Sequence, residues 1–383
     1  MLSTIVNIVL FLLVIGILVF VHELGHFLAA KSVNATIYEF ALGFGPRILS
    51  KEHKGIIYAI RLIPFGGFVK IAGDGDPSTE EGRKEMSDPN SLKKKTKIAQ
   101  VWVMLAGVLM NLLLATTIYY IVLWQNDWQL SLTSEFENMT LVGAEFSYEK
   151  LGEVEYQEVL EGSGAEKAGI PESGYIREID GKEIEYSSEI SEELEGFEGK
   201  DVIVDICTEG DSCEEYTIAV SDKGQLGISL FSNYILNLSY ADHKVFAGFS
   251  HVANMLKLTY TKLGTLFSEA KETGDYTQVA NTFTGPVGIY LVLDYFKQFG
   301  IIALLSILGD ISLSLAIMNL LPIPALDGGR VLILIIESIL GKDLNEKVEA
   351  IIINVSFVLL ILLTVVILIK DFLVIDSLRD MFS

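Results

Sequence analysis

The sequence predicts a polytopic α-helical membrane protein with four transmembrane helices and an extracytoplasmic α+β domain inserted between the second and third. Three observations carry this. Half of the 383 residues are hydrophobic and the mean hydropathy is +0.44, too apolar for an ordinary soluble protein. Four apolar runs are each long enough to cross about 30 Å of hydrocarbon. Between the second and third runs lie about a hundred acidic, glycine-punctuated residues, enough for a small domain. The net charge of −22 argues against nucleic acid as a partner. Two cysteines are too few for a zinc-thiolate site or a disulfide framework.

The first helix covers residues 1–31. It lacks a basic n-region and a small-x-small cleavage site, so it reads as a span and not a signal peptide. Near its end comes Phe20-Val21-His22-Glu23-Leu24-Gly25-His26-Phe27. His22 and His26 stack on one helix face, one turn apart. Two imidazoles so placed can hold one Zn²⁺, with Glu23 beside any water on that metal. His-Glu-x-x-His is the helix signature of zinc peptidases. The alternative is a pair of core histidines flanking a surface glutamate. The apolar flanks weaken it, because an ionisable group in mid-membrane costs about 2.5–3.5 kcal/mol on the insertion scale.

Residues 32–97 form a loop rich in lysine and arginine, ending in Lys93-Lys94-Lys95-Thr96-Lys97. Basic residues beside spans mark the cytoplasmic side, so the first helix runs outside to inside. Within this loop, residues 55–73 are apolar but broken by Pro64, Gly66 and Gly67. They read as short strands with a turn. Such a segment is either a packed cytosolic hairpin or a sheet edge that dips toward the site and pairs with an extended substrate. Asp74 to Asn90 reads as a flexible surface loop. Residues 98–124 form the second span, where Gly107 and Asn111 share a face. Helix packing is the favoured role for that pair, with contact to the site as the alternative.

Residues 140–232 hold Val159-Leu160-Glu161-Gly162-Ser163-Gly164-Ala165-Glu166-Lys167-Ala168-Gly169 and, further on, Ile179-Asp180-Gly181. This resembles the bacterial PDZ pattern, whose domains bind extended chains by strand addition. A spacer that binds nothing is the alternative. Two strands follow around Glu209-Gly210-Asp211, flanked by Cys207 and Cys213, which are either a cross-strand disulfide or two free thiols. Residues 242–272 carry apolar residues at helical spacing with interspersed lysines, an amphipathic helix on the outer membrane surface or packed on the insert. Thr284 to Tyr290 reads as a turn.

The third span, residues 299–321, returns to the cytoplasmic side. It meets a 322–349 segment that begins Pro322-Ile323-Pro324-Ala325-Leu326-Asp327-Gly328-Gly329-Arg330. Topology places Asp327 at the membrane level of His22 and His26. A zinc hydrolase needs a third protein ligand and an open fourth position, and Asp327 is the best candidate, with helix capping as its other role. Asp310 falls mid-span, about 25 Å of helix from Asp327, and the sequence offers no role for it. Residues 350–369 form the fourth span, and the last residues end outside.

His22 to His26, Gly43-Phe44-Gly45, Pro64 to Lys70, the PDZ-like segment, Gly285-Pro286-Val287-Gly288 and Asn319 to Gly329 together resemble the site-2 protease family. These are M50 zinc intramembrane metalloproteases, and the likeness is to the regulator-of-sigma-E protease type. The resemblance implies Zn²⁺ held by His22, His26 and Asp327, with Glu23 as catalytic base and Asn319 binding the substrate backbone. It implies a membrane-re-entrant β-loop around Ile56–Ile71. It also implies a multi-pass protein of a prokaryotic cytoplasmic membrane that cuts single-span membrane proteins in regulated intramembrane proteolysis. The expected outcome is release of anti-sigma-type regulators or clearance of signal-peptide remnants. Implied partners are the lipid bilayer and a peptide ligand of the PDZ-like domain. The best-known members of this type carry two tandem PDZ domains, whereas this chain has room for one. A membrane-anchored PDZ adaptor with a structural or inactive metal site is the competing reading. A closed site needs four protein ligands and only three are found. A metal transporter is the other, without the internal repeats that transporters often show.

Overall fold

Helix α1 (Leu2–Ser32) is an almost uninterrupted apolar run, so its helical hydrogen bonds satisfy a backbone that lipid cannot. The computed structural model describes residues 2–74, 87–132, 140–208 and 212–373. The chain divides into two compact units, residues 1–122 with 251–383, and residues 123–250. After α1 come two long antiparallel strands, β1 (Ile37–His53) and β2 (Ile56–Ile71), then helix α2 (Lys97–Gln125). The sequence predicts short strands in residues 55–73 alone. The segment is instead one arm of a hairpin whose turn is Lys54-Gly55, both at positive φ.

Each strand of this hairpin folds back on itself. Phe40 pairs with both Val69 and Tyr58, and Ala41 with both Phe68 and Ala59. The bends fall at Gly43, Gly45 and Gly66, all at φ between +82° and +89°, where a Cβ would be strained. The result is four short rungs in the order 47–53, 56–63, 37–44, 67–71. Of the 55–73 segment, read as a packed hairpin or a sheet edge, residues 67–71 form an outer rung and residues 57–60 lie in the middle. A charge cluster ties the rungs together. Glu39 is 4% exposed and accepts from Arg47 Nη2 at 2.6 Å and from Arg61 Nη2 at 2.7 Å.

In the inserted unit, β3 (Gln129–Leu132), β11 (Tyr234–Ser239) and β4 (Glu145–Lys150) form one antiparallel sheet in that order. A second sheet runs β10 (Ile228–Leu230), β5 (Val154–Val159), β6 (Gly174–Ile179), β8 (Asp201–Thr208), β9 (Ser212–Ala219), with β7 (Lys182–Glu183) beside β6. The expected 140–232 domain includes β4, which pairs with β11 and has no place in the larger sheet. Helix α3 (Gly164–Ala168) opens on a Ser163 Oγ that accepts from the Glu166 N–H, while Glu166 Oε2 accepts from the Gly162 N–H. It closes on Gly169 at φ +71°. Helix α4 (Glu189–Glu193) follows β7. Val154, Tyr156, Ile176, Val204, Ile206 and Ile218 are 2% exposed or less and form the core. Cys207 and Cys213 face each other across β8 and β9 and are joined by a disulfide. The Glu209-Gly210-Asp211 turn lies outside the described residues, as do residues 75–86 of the predicted surface loop.

Helix α5 (Ala247–Thr273) begins after a 3-10 segment at Ala241–Phe246, five residues later than expected. Helix α6 (Thr277–Thr282) leads to α7 (Pro286–Phe296), where the sequence predicts a turn over residues 284–290. Pro286 is suited to the first helical position, because its missing N–H has no partner there in any helix. Then come α8 (Ile301–Leu320), α9 (Asp327–Leu340) and α10 (Glu346–Leu373). Among the described residues, four helices are long and apolar enough to cross a membrane: α1, α2, α8 and α10.

Burial pushes the Glu39 carboxyl up, but hydrogen bonds from Arg47 and Arg61 outweigh it and hold the group below the usual glutamate range. Its stabilising contribution is therefore present above the ordinary glutamate value and lost as pH falls through the lower folded value. Hydrogen exchange across residues 37–71 is expected to quicken in that acid window. In Glu39→Ala it should be at least about tenfold faster already at neutral pH, since even one charged hydrogen bond contributes about 1.5–3 kcal/mol. Unchanged protection in the variant would show the cluster to be ornamental.

Candidate active site

The helical period brings His22 and His26 of α1 together, with ring centroids 4.8 Å apart. The chain returns some three hundred residues later to place Asp327, the first residue of α9, against both. His22 Nε2 lies 3.2 Å from Asp327 Oδ2, His26 Nε2 lies 3.4 Å from it, and the two Nε2 atoms are 3.2 Å apart. Zinc–ligand bonds of about 2.0–2.1 Å in a tetrahedron put ligand atoms about 3.3–3.4 Å apart. Asp327 Oδ2 is buried and makes no well-aligned hydrogen bond, which suits an atom placed for a cation. Two imidazoles and one carboxylate also form the donor set of an open hydrolytic zinc site. The residues fit the metal.

Local sequence explains the convergence. A Cβ on Gly107 of α2 would sit 2.4 Å from His26 Nε2 and 2.8 Å from His22 Nε2, and one on Gly25 would sit 2.3 Å from the Ala106 carbonyl oxygen. Only glycines allow α1 and α2 to touch at this level. On the other side Pro322 and Pro324 prevent α8 from continuing. The chain then turns tightly, with the Leu326 N–H donating to the Ile323 carbonyl at 2.8 Å. Cβ atoms on Gly328 and Gly329 would lie 2.2 Å from the Leu320 oxygen and 2.0 Å from the Ile323 oxygen. The two glycines let α9 start directly beneath the end of α8, which delivers Asp327.

Glu23 borders the same cleft of about 480 Å³, with Phe68 and Val69 of β2, Val103 and Met104 of α2, and Arg330 of α9. Its side chain lies against the edge rung of the hairpin, where a Cβ on Gly67 would come 3.2 Å from Glu23 Cγ. Arg330 is three residues along α9 from Asp327. It pairs with Asp74, Nη1 to Oδ1 at 2.5 Å, and closes one side of the cleft. Sequence reasoning missed Arg330, although the i, i+3 spacing within Asp327-Gly328-Gly329-Arg330 signals a shared face.

The histidine rings are held from behind. His26 Nδ1 is 2.8 Å from the Val103 carbonyl, and Asn111 Nδ2 is 3.3 Å from His22 Nδ1. Asn111 thus touches the site, where packing was the favoured reading. Asn319 lies on the last turn of α8, half-buried, and does not line the cleft. Asp310 has a partner outside the cleft: Tyr119 Oη donates to its Oδ1 at 2.6 Å.

The family model for peptidase family M50 matches residues 10–363. The chain belongs to peptidase family M50. It is a zinc metalloprotease of the site-2 protease family, which is membrane-embedded. Similar proteins include an inferred zinc metalloprotease of Clostridium acetobutylicum, 29% identical over 95% of this chain and 97% of that one. Two others are the regulator of sigma-W protease RasP of Bacillus subtilis, 27% identical over 94% and 97%, and the zinc metalloprotease RasP of Shouchella clausii, 28% identical over 94% and 97%.

In this M50 peptidase Gly107→Ala is expected to abolish stoichiometric zinc binding while helix content stays unchanged, because the added methyl occupies the space of the ligand nitrogens. Metal analysis and circular dichroism of the purified variant test this. Full zinc content would show that α2 can yield at this point.

Proposed function

We propose that this chain is an intramembrane endopeptidase that hydrolyses peptide bonds within or near the transmembrane segments of single-span membrane proteins. The observation that carries this is a complete open-site donor set, His22, His26 and Asp327, with Glu23 beside it, on a helix whose flanks are apolar. In this reading those three residues hold the zinc. When bound, zinc lowers the pKa of water and polarises the scissile carbonyl. Glu23 takes the proton from the attacking water and passes it to the leaving amide nitrogen. The edge rung of the hairpin, packed against Glu23 at Gly67, positions the carboxylate for both transfers.

A substrate helix hides its carbonyls, so it must unwind locally, and bare backbone in lipid costs several kcal/mol per group. Strand addition to the edge rung, residues 67–71, supplies replacement partners next to Glu23. Asn319, at the end of α8, would contact the substrate backbone as it enters. The basic residues of the 32–97 loop support a cytoplasmic placement for the α1 end that bears the site. The Cys207–Cys213 disulfide supports an extracytoplasmic, oxidising placement for the insert. Its PDZ-like pattern and antiparallel sheet support a peptide-binding role. The name of the RasP relatives supports regulators of the anti-sigma type as substrates in a prokaryotic cytoplasmic membrane.

The test is cleavage of a model single-span substrate in detergent, with product ends mapped by mass spectrometry. Wild type should cut inside the apolar segment. Glu23→Gln should keep its zinc and lose about 10²–10⁴-fold in rate, and a chelator should silence wild type. Cleavage that survives in Glu23→Gln would remove the base from the mechanism. Zinc-loaded protein that cuts no substrate of this type would favour a PDZ adaptor with an inactive metal site.

A further inference from the structure

Asn111 is fully buried at the α1–α2 contact, and its Oδ1 has no hydrogen-bond partner. Its Nδ2 faces His22 Nδ1 at 3.3 Å. That pairing needs a lone pair on Nδ1, which leaves the ring proton on Nε2, the atom directed at Asp327. Such a tautomer cannot ligate through Nε2. His26 has the opposite arrangement: its Nδ1 meets the Val103 carbonyl, an acceptor only, so its proton is on Nδ1 and its Nε2 lone pair is free. Turning the Asn111 amide by about 180° presents Oδ1 to His22 Nδ1–H and gives both histidines the same tautomer. The backbone at this point is fixed independently, since Ser312 Oγ of α8 donates to the Asn111 carbonyl at 2.8 Å.

The geometry points to Asn111 as a positioning residue for the metal: its amide oxygen accepts from His22 Nδ1–H and thereby sets the tautomer in which Nε2 ligates. The inference rests on His22 being a zinc ligand, as proposed above. Together Val103 and Asn111, eight residues apart on one face of α2, orient both imidazoles, with Gly107 between them leaving room for the rings. Helix α2 contributes no ligand, yet it determines which nitrogen of each histidine faces Asp327.

The test is competition for zinc between a chromogenic chelator and the full-length protein in detergent, with thermal melting as a folding check. Asn111→Leu removes the acceptor at similar volume and should weaken zinc binding about 10–100-fold. Asn111→Asp keeps an acceptor at the same place and should stay within about threefold of wild type or bind more tightly. Ser312→Ala, which loosens the same helix contact without touching the amide, should bind zinc as wild type does. Wild-type affinity in a folded Asn111→Leu overturns the inference, and so does an Asn111→Asp as weak as Asn111→Leu. If the leucine variant does not fold, the aspartate variant decides alone, with a loss of tenfold or more counting against the inference. His22→Ala separates this from the underlying reading: undiminished zinc affinity there would remove His22 from the ligand set.

Discussion

Everything at the site depends on how closely α1 and α2 approach where Gly25 meets the Ala106 carbonyl and Gly107 meets the two imidazoles. In lipid there is no hydrophobic gain from bringing two apolar helices together, so association rests on packing and on polar contacts. Glycine at both positions lets the backbone of one helix serve as the wall of the other's polar pocket. The histidines are then shielded from lipid on one side by α2, on another by the edge rung of the hairpin, and capped by the turn that delivers Asp327. Remove the close approach and three ionisable groups would face hydrocarbon, at a cost no remaining contact offsets.

The site was legible in the sequence to the extent that its residues are local or marked by backbone breakers. His22, Glu23 and His26 lie within a turn and a half of one helix, so spacing alone relates them. Asp327 stands out because two prolines and two glycines bracket it. The partners that act across long separations were not legible. Asp310 could not be interpreted because Tyr119 lies 191 residues away and nothing in either run marks the pair. The first strand of the hairpin is hard to see in the sequence because Gly43, Gly45 and Pro46 interrupt its apolar pattern. In the fold they are the bend that lets one strand occupy two rungs. The start of α7 was lost to the ambiguity of proline, which ends one helix and opens another with equal ease.

Beyond the site, polar pairs recur wherever apolar helices must hold a register. Asn7 near the start of α1 donates to Asp294 of α7 at 2.6 Å, Tyr119 joins α2 to α8, and Asp371 of α10 accepts from the Gly288 N–H of α7 at 3.2 Å. Each joins a different pair of helices. Apolar surfaces of similar shape can slide past one another at little cost, whereas a buried hydrogen bond has one best alignment. These contacts fix position more than they add stability, and the metal-ligand geometry, which tolerates errors of only a few tenths of an ångström, needs that.

Lys93, in the short turn before α2, and Lys97, its first residue, are bonded to Glu349 at 2.5 Å and to Glu337 at 2.5 Å, acids that lie 256 and 240 residues further along the chain. While the ribosome is still making the middle of the protein, neither partner exists. These acids can neutralise the two lysines only when the last helices arrive. One short basic run is therefore a clasp between distant helices that can close only after the end of the chain has been made.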